Sequence, residues 1–198
     1  MIRARTIRRA AALCVALALG GCIGTTPEDA ARARLPRGDG RDEGEDDDDG
    51  PEHRPGQPCL VCHTGGLTGD SPAFAIAGTI VASAGGRGVN GALVAMVDNA
   101  GHFFCAATNR AGNFMVEVDD GLSAPRQRDD GRLKIPWAPV FPVTVIKVSR
   151  STCDVGAPLA LGERTMASLV NRDGSCASCH GPEATARSVG PIVLGDGT

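Results

Sequence analysis

The sequence is poor in aromatic residues and rich in residues that interrupt helices. It contains no tyrosine, one tryptophan and five phenylalanines, against 27 glycines and 13 prolines among 198 residues. Glycine and proline both disfavour helix interiors, so this composition argues against a helical bundle and favours a turn-rich β domain. The length excludes a TIM barrel and a two-domain dinucleotide-binding enzyme.

Net charge is low, and it is unevenly distributed. The formal charge is −3 overall, with +4 in residues 1–21, −6 in residues 23–58 and −1 in residues 59–198. The long C-terminal part is therefore nearly neutral and has no excess of basic residues of the kind that binds nucleic acid. We expect no nucleic-acid partner.

Residues 1–21 have the organisation of a signal peptide. Four arginines precede an apolar stretch at residues 10–19, which is too short to span a membrane. Residues 19–22 read Leu-Gly-Gly-Cys and resemble the lipobox of bacterial lipoproteins. The resemblance implies cleavage before Cys22 and acylation of its thiol and amine, which would anchor the protein in a membrane. The alternative is an ordinary signal peptide in which Cys22 is incidental.

The chain after the anchor resembles a tether. Residues 22–58 include an acidic run at 42–49 and have almost no apolar side chain that could enter a core, so we expect a disordered acidic spacer. Such a coil spans roughly 30 to 36 Å on average. Ile23, rather than an acidic retention residue, follows Cys22. We therefore expect an envelope protein anchored at the outer membrane, facing the periplasm or the exterior.

Two short motifs carry the chemistry of the chain. Cys59-Leu60-Val61-Cys62-His63 and Cys176-Ala177-Ser178-Cys179-His180 both match C-x-x-C-H, the attachment sequence for c-type haem. Two thiols three positions apart on one helical turn can reach the two vinyl groups of a haem, and the following imidazole can reach the iron. In these motifs the chain resembles multihaem c-type cytochromes. The resemblance implies two covalent c haems, with His63 and His180 as proximal ligands.

The remaining cysteines also have plausible roles. Of the eight cysteines, Cys14 leaves with the signal peptide and Cys22 is the lipidation candidate. Cys105 and Cys153 are then left over, and in an oxidising compartment we expect them to form a disulfide.

Two other uses of the motif cysteines stay open. All four thiols could bind one zinc ion as a Cys₄ or Cys₃His site. The two pairs could instead be dithiol redox centres. A histidine directly after both pairs favours haem over zinc, and the sequence shows no βαβ context for a thioredoxin-like centre.

The sixth ligands of the two irons are harder to assign. No methionine or histidine follows His180, so the second haem must take any distal protein ligand from upstream. The favoured candidates are His102, which follows a predicted turn, and Met166, ten residues before Cys176. We expect His53 to be a solvated tether residue. We expect Met96 and Met115 to be core residues.

The part between the motifs has the pattern of a small β module. Short runs with strand character alternate with glycine-rich turns, which predicts a small antiparallel β-sandwich flanked by the two motif segments. The expected strands are residues 74–81, 93–97, 103–106, 113–118 and 143–148, and residues 119–134 are expected to form a polar loop.

Residues 78–80, 91–94 and 108–114 resemble the carboxypeptidase-regulatory-like family, a transthyretin-like β-sandwich. The resemblance implies a scaffold without catalytic residues of its own. The expected organisation is a signal peptide at 1–21, the lipidated tether at 22–58, the first motif segment at 59–72, the sandwich at 73–153 and the second motif segment at 154–198.

These observations predict a membrane-tethered dihaem cytochrome that passes electrons between other redox proteins of the cell envelope and is not itself an enzyme. One alternative is a lipoprotein interaction module whose cysteine pairs form disulfides or a zinc site. A haem peroxidase is a third possibility, but no set of distal acid and base residues lies beside either motif in the sequence.

Overall fold

The structure, a computed structural model, describes residues 50–63, 72–181, 184–185 and 188–195. The predicted signal peptide, the lipidation candidate Cys22 and the acidic run lie outside the described residues. Within these described ranges, no helix is both long and apolar enough to cross a membrane.

The regular secondary structure of the described chain is almost entirely β, which confirms the prediction of a mainly-β fold. Besides the strands, each C-x-x-C-H motif begins with a 3₁₀ turn, Cys59–Val61 in the first and Cys176–Ser178 in the second. The strands of the described chain are β1 (Ile76–Val81), β2 (Leu93–Val97), β3 (Phe103–Ala107), β4 (Asn113–Val118), β5 (Arg126–Gln127), β6 (Arg132–Ile135), β7 (Val143–Ser149), β8 (Leu169–Val170), β9 (Ala184–Thr185), β10 (Ser188–Val189) and β11 (Ile192–Val193).

Most of these strands form two sheets. One sheet has the order β11-β1-β4-β6-β5, the other has the order β3-β2-β7-β8, and β9 pairs with β10 in a separate ribbon. The second sheet is antiparallel throughout, whereas the first contains the parallel pairs β1–β11 and β4–β6. A parallel connection needs about a dozen residues, and residues 119–131 supply them between β4 and β6.

One hydrophobic core lies between the two sheets, an arrangement consistent with the predicted sandwich. Period-two alternation turns one set of side chains on each strand towards this core. Each fully buried large apolar side chain contributes roughly 1.5 to 3 kcal/mol of transfer free energy. The largest apolar side chains of this core are Phe104, Phe114, Ile76, Ile80, Met96, Ile135 and Leu194.

The prediction of a polar loop at residues 119–134 was partly wrong, because this segment contains β5 and most of β6. Leu133 and Ile135 on β6 are buried in the core, while Arg132 and Lys134 alternate with them. Both basic side chains pair with Glu117 on β4, so the polar residues of this strand are satisfied at the sheet surface.

A disulfide ties the second sheet to the chain that leaves it. The sulfur atoms of Cys105 on β3 and Cys153 after β7 are 1.95 Å apart, and 48 positions separate the two residues in sequence. A cross-link over a loop of this length lowers the conformational entropy of the unfolded chain, which stabilises the fold by up to about 4 kcal/mol.

We predict that the double variant Cys105→Ser/Cys153→Ser loses up to about 4 kcal/mol of unfolding free energy in denaturant titrations. Wild-type protein titrated in the presence of a reductant is the matched control, because it should lose a similar amount. Equal stability of oxidised wild type and double variant would show that the bond does not form.

A buried ion pair joins β7 to the chain before β8. Lys147 Nζ lies 3.1 Å from Glu163 Oε2, and the two side chains are only 2% and 5% exposed. Glu163 also accepts hydrogen bonds from the Ser149 hydroxyl and from the Ala160 amide, the latter at 2.7 Å. The Ser149 bond, the Ala160 bond and Lys147 together lower the pKa of Glu163 to about 2.

This shift predicts acid sensitivity in a defined pH window. A carboxyl group whose pKa is lower in the folded chain than in the unfolded chain stabilises the fold at pH values above its unfolded pKa. This stability is lost as the pH falls from 4.5 towards 2. We expect Glu163→Gln to lower the melting temperature at pH 7, because it leaves the Lys147 charge buried and unpaired. The difference from wild type should shrink across the same window. A difference that is independent of pH would contradict this assignment.

Candidate functional site

The two C-x-x-C-H motifs adopt the same local structure. In the first, the amides of Cys62 and His63 donate to the carbonyl oxygen of Cys59 at 3.2 and 3.0 Å. In the second, the amides of Cys179 and His180 donate to the carbonyl of Cys176 at 3.2 and 2.8 Å. Each motif therefore holds its two cysteines and its histidine on a single tight turn.

The imidazoles of both motifs are oriented by backbone carbonyls. His63 Nδ1 lies 3.0 Å from the carbonyl oxygen of Pro72, and His180 Nδ1 lies 3.0 Å from that of Gly190. A carbonyl oxygen can only accept, so Nδ1 carries the proton in each ring. In the neutral rings Nε2 is then an unprotonated donor atom for a metal. Histidines that ligate metals are commonly held in this way.

The first cysteine of each motif is a neutral thiol at ordinary pH. Burial raises the pKa of Cys59 to about 11. Burial raises the pKa of Cys176 to about 12, with a smaller contribution from Cys59. Catalytic dithiol centres have thiolate pKa values that are lowered instead. The environment of these cysteines is therefore unlike that of a thioredoxin-type redox centre.

Both motifs meet at strand β1. On one face of the first sheet, Leu60 of the first motif packs with Ala77, and Cys59 packs against the same cluster. Ser175 pairs in parallel with Ala77, and the following Cys176 belongs to the core between the sheets. Leu60 also approaches the residue before Ser175, because a Cβ atom on Gly174 would lie 3.2 Å from Leu60 Cδ2. The two motif segments therefore meet beside Ala77.

Gly78 allows the second motif to approach β1 this closely. A Cβ atom on Gly78 would lie 2.8 Å from Cys176 Cβ, 2.9 Å from Cys176 Sγ and 2.9 Å from Phe114 Cε1. Real Cβ atoms do not make contacts this short, so any side chain here would displace the motif or the core.

The second motif borders two cavities, which share Cys176, His180 and two neighbouring residues of the C-terminal segment. The first, of about 240 Å³, lies between the sheets, is lined mainly by apolar side chains and includes the predicted ligand Met166. The second, of about 260 Å³, lies on the other side of the motif, between Thr79 and the turn at residues 85–88. The structure therefore brings Met166 and His180 to one apolar cavity.

The other predicted distal ligand, His102, lies elsewhere. It precedes β3, which packs over β4 and β6 rather than over β1. Its Nδ1 is 3.0 Å from Asp98 Oδ2, and its ring centroid is 5.0 Å from that of Trp137. The amide of His102 also donates to Asp98, so these contacts close a turn.

The structure places His53 beside the first motif, although the sequence predicted a solvated tether residue. Its ring is half-buried, and the ring centroid lies 5.7 Å from that of His63. Residues 50–58, the end of the predicted tether, dock on the first sheet through backbone atoms. The carbonyl oxygens of Pro51 and His53 accept hydrogen bonds from the buried side chains of Asn109 and Asn113.

No family model matches the chain, and no curated protein or solved structure matches it either. In the part of the chain that the structure describes, no three histidine, cysteine, aspartate or glutamate side chains form a group able to hold a metal ion. The two motifs and their surroundings are therefore the features of the chain that bear on its function.

The close packing at Gly78 gives a direct test of how the second motif is seated. We expect Gly78→Ala to lower the unfolding free energy by roughly 1 to 3 kcal/mol, as overpacked core sites do. Gly195→Ala is the matched control, because a Cβ atom there meets nothing within 4 Å. Equal melting temperatures for the two variants would show that Cys176 does not pack on β1.

Proposed function

We propose that this chain is a dihaem c-type cytochrome that transfers electrons in the cell envelope. The observation that carries the proposal is the matched arrangement of His63 and His180. Each follows a Cys-x-x-Cys turn, and each donates its Nδ1 proton to a backbone carbonyl, which leaves Nε2 for iron. Two such sites in one chain are difficult to explain by chance.

The motif side chains fit covalent haem attachment. In each motif the two cysteine thiols would hold a haem through thioether bonds, with sulfur added to one carbon and hydrogen to the other carbon of each vinyl group, so that no oxidant would be needed. Cys59 and Cys62 would hold one haem, and Cys176 and Cys179 the other. The haem iron would supply the one-electron redox chemistry, at a potential set by axial ligation and burial.

The apolar cavity beside His180 supports Met166 as the distal ligand of the second haem. Met166 is half-buried and packs against the core, and it lines this cavity together with His180. A methionine ligand and low solvent exposure would both raise the reduction potential. His102, the other candidate from the sequence, contacts Asp98 and Trp137 instead, so we do not propose it as a ligand.

The meeting of the motifs on β1 supports electron passage between the haems. Ala77 and Gly78 are adjacent in sequence and contact different motifs. The two sheets would then act as a rigid frame, in keeping with the scaffold role that the resemblance to carboxypeptidase-regulatory-like modules predicts. Acylation of Cys22 would hold this frame near a membrane, where it would exchange electrons with other envelope proteins.

A lipoprotein interaction module with a structural zinc site is the second candidate. The meeting of both motif segments at Ala77 is the observation that favours it, because thiols from both motifs would be needed for one zinc ion. The ion would have to draw these thiols together, since the described side chains hold no preformed group of three such ligands. This module would be structural and would carry no redox function.

A pyridine haemochrome spectrum with intact mass distinguishes the two. We expect protein from a host with cytochrome c maturation machinery to carry two covalent haems per chain. Cys59→Ala/Cys62→Ala and Cys176→Ala/Cys179→Ala should each leave one haem, and the matched control Cys105→Ser/Cys153→Ser should retain both. Protein without covalent haem but with bound zinc would refute the cytochrome and support the structural module.

A further inference from the structure

The backbone around His53 is fixed by polar side chains of β1, of β4 and of the turn before β4. Its carbonyl oxygen accepts a hydrogen bond from Asn113 Nδ2 at 3.1 Å. On either side of it, the Pro51 carbonyl accepts from Asn109 Nδ2 at 2.6 Å, and the Gly56 amide donates to Thr79 Oγ1 at 2.8 Å. These contacts hold His53 in place although the segment has little apolar surface.

The ring of His53 has the same protonation pattern as the two motif histidines. Its Nδ1 is hydrogen-bonded to the carbonyl oxygen of Gly50, which can only accept. The Nδ1 proton therefore points at the backbone, and Nε2 of the neutral ring is the atom left to bind a metal. In the described chain, His53, His63 and His180 share this arrangement, whereas Nδ1 of His102 is hydrogen-bonded to the carboxylate of Asp98.

The separation of His53 and His63 fits a shared metal ion. Two imidazoles that bind one metal ion from opposite sides have ring centroids about 6 Å apart, since each metal–nitrogen bond is about 2 Å. The observed centroid separation is 5.7 Å. Phe74 stacks on His63 with its centroid at 4.6 Å, which restricts the orientation of the His63 ring.

We propose that His53 is the sixth ligand of the haem held by Cys59 and Cys62, so that this haem has two histidine ligands. The inference rests on the proposed function and adds to it a ligand supplied by the segment before the first motif. The two irons would then differ, with histidine–histidine ligation at the first motif and histidine–methionine ligation at the second.

The test uses the full-length holoprotein and the variants His53→Ala and His53→Met. In His53→Ala, we expect one of the two haems to become high-spin in the ferric electron paramagnetic resonance spectrum and to bind carbon monoxide in the ferrous state. The pyridine haemochrome should still report two haems per chain. His53→Met should restore the low-spin state and raise the potential of that haem, because methionine ligation favours the reduced iron.

The matched control is His102→Ala, which should leave both haems low-spin and unreactive towards carbon monoxide. If His53→Ala matures poorly, added imidazole should restore both its low-spin spectrum and its stability. Two low-spin haems in His53→Ala would overturn the inference while leaving the cytochrome assignment intact. Absence of covalent haem from the wild type would refute the proposed function itself.

Discussion

The packing of β1 is the constraint on which the rest of the structure depends. One edge of this strand pairs with β4, and the other edge pairs first with Ser175 and then with β11. The second motif lies between these two parallel pairings, so the C-terminal chain must leave the sheet and return to it. Small residues at positions 77 and 78 let both motif turns approach, which links the β fold directly to the geometry of the site.

Local patterns in the sequence predicted the strands better than the way they pair. Short runs with strand character between glycine-rich turns located β2 and β4, and the C-x-x-C-H spacing located both motif turns. In contrast, β6 has the sequence Arg-Leu-Lys-Ile, and its two charged residues concealed an alternation that buries Leu133 and Ile135. The parallel pairs depend on contacts between distant segments, for which local sequence carries no signal.

The predicted tether shows where composition gives too little information. Chains with few apolar residues do not bury enough surface to offset the entropy of ordering, so the whole segment to residue 58 is predicted to be coil. Residues 50–58 are instead held by Asn109, Asn113 and Thr79, which bond to backbone atoms of the segment. On the side of the segment these bonds use only backbone atoms, so they leave no pattern in the side chains of residues 50–58. His53 could therefore not be recognised from the sequence as a neighbour of His63.

Each motif brings its own means of orienting its histidine. The carbonyl that accepts from His63 comes from Pro72, nine residues later, and the one that accepts from His180 comes from Gly190, ten residues later. In each motif the orienting carbonyl therefore comes from a residue close by in sequence, and the bond does not require a helical cytochrome fold. A β scaffold needs only to hold each motif turn and its orienting carbonyl in place, because the sites and not the fold carry the chemistry. If the proposed haems are bound, ligands fixed in this way would move little when an iron gains or loses an electron, as the proposed electron transfer requires.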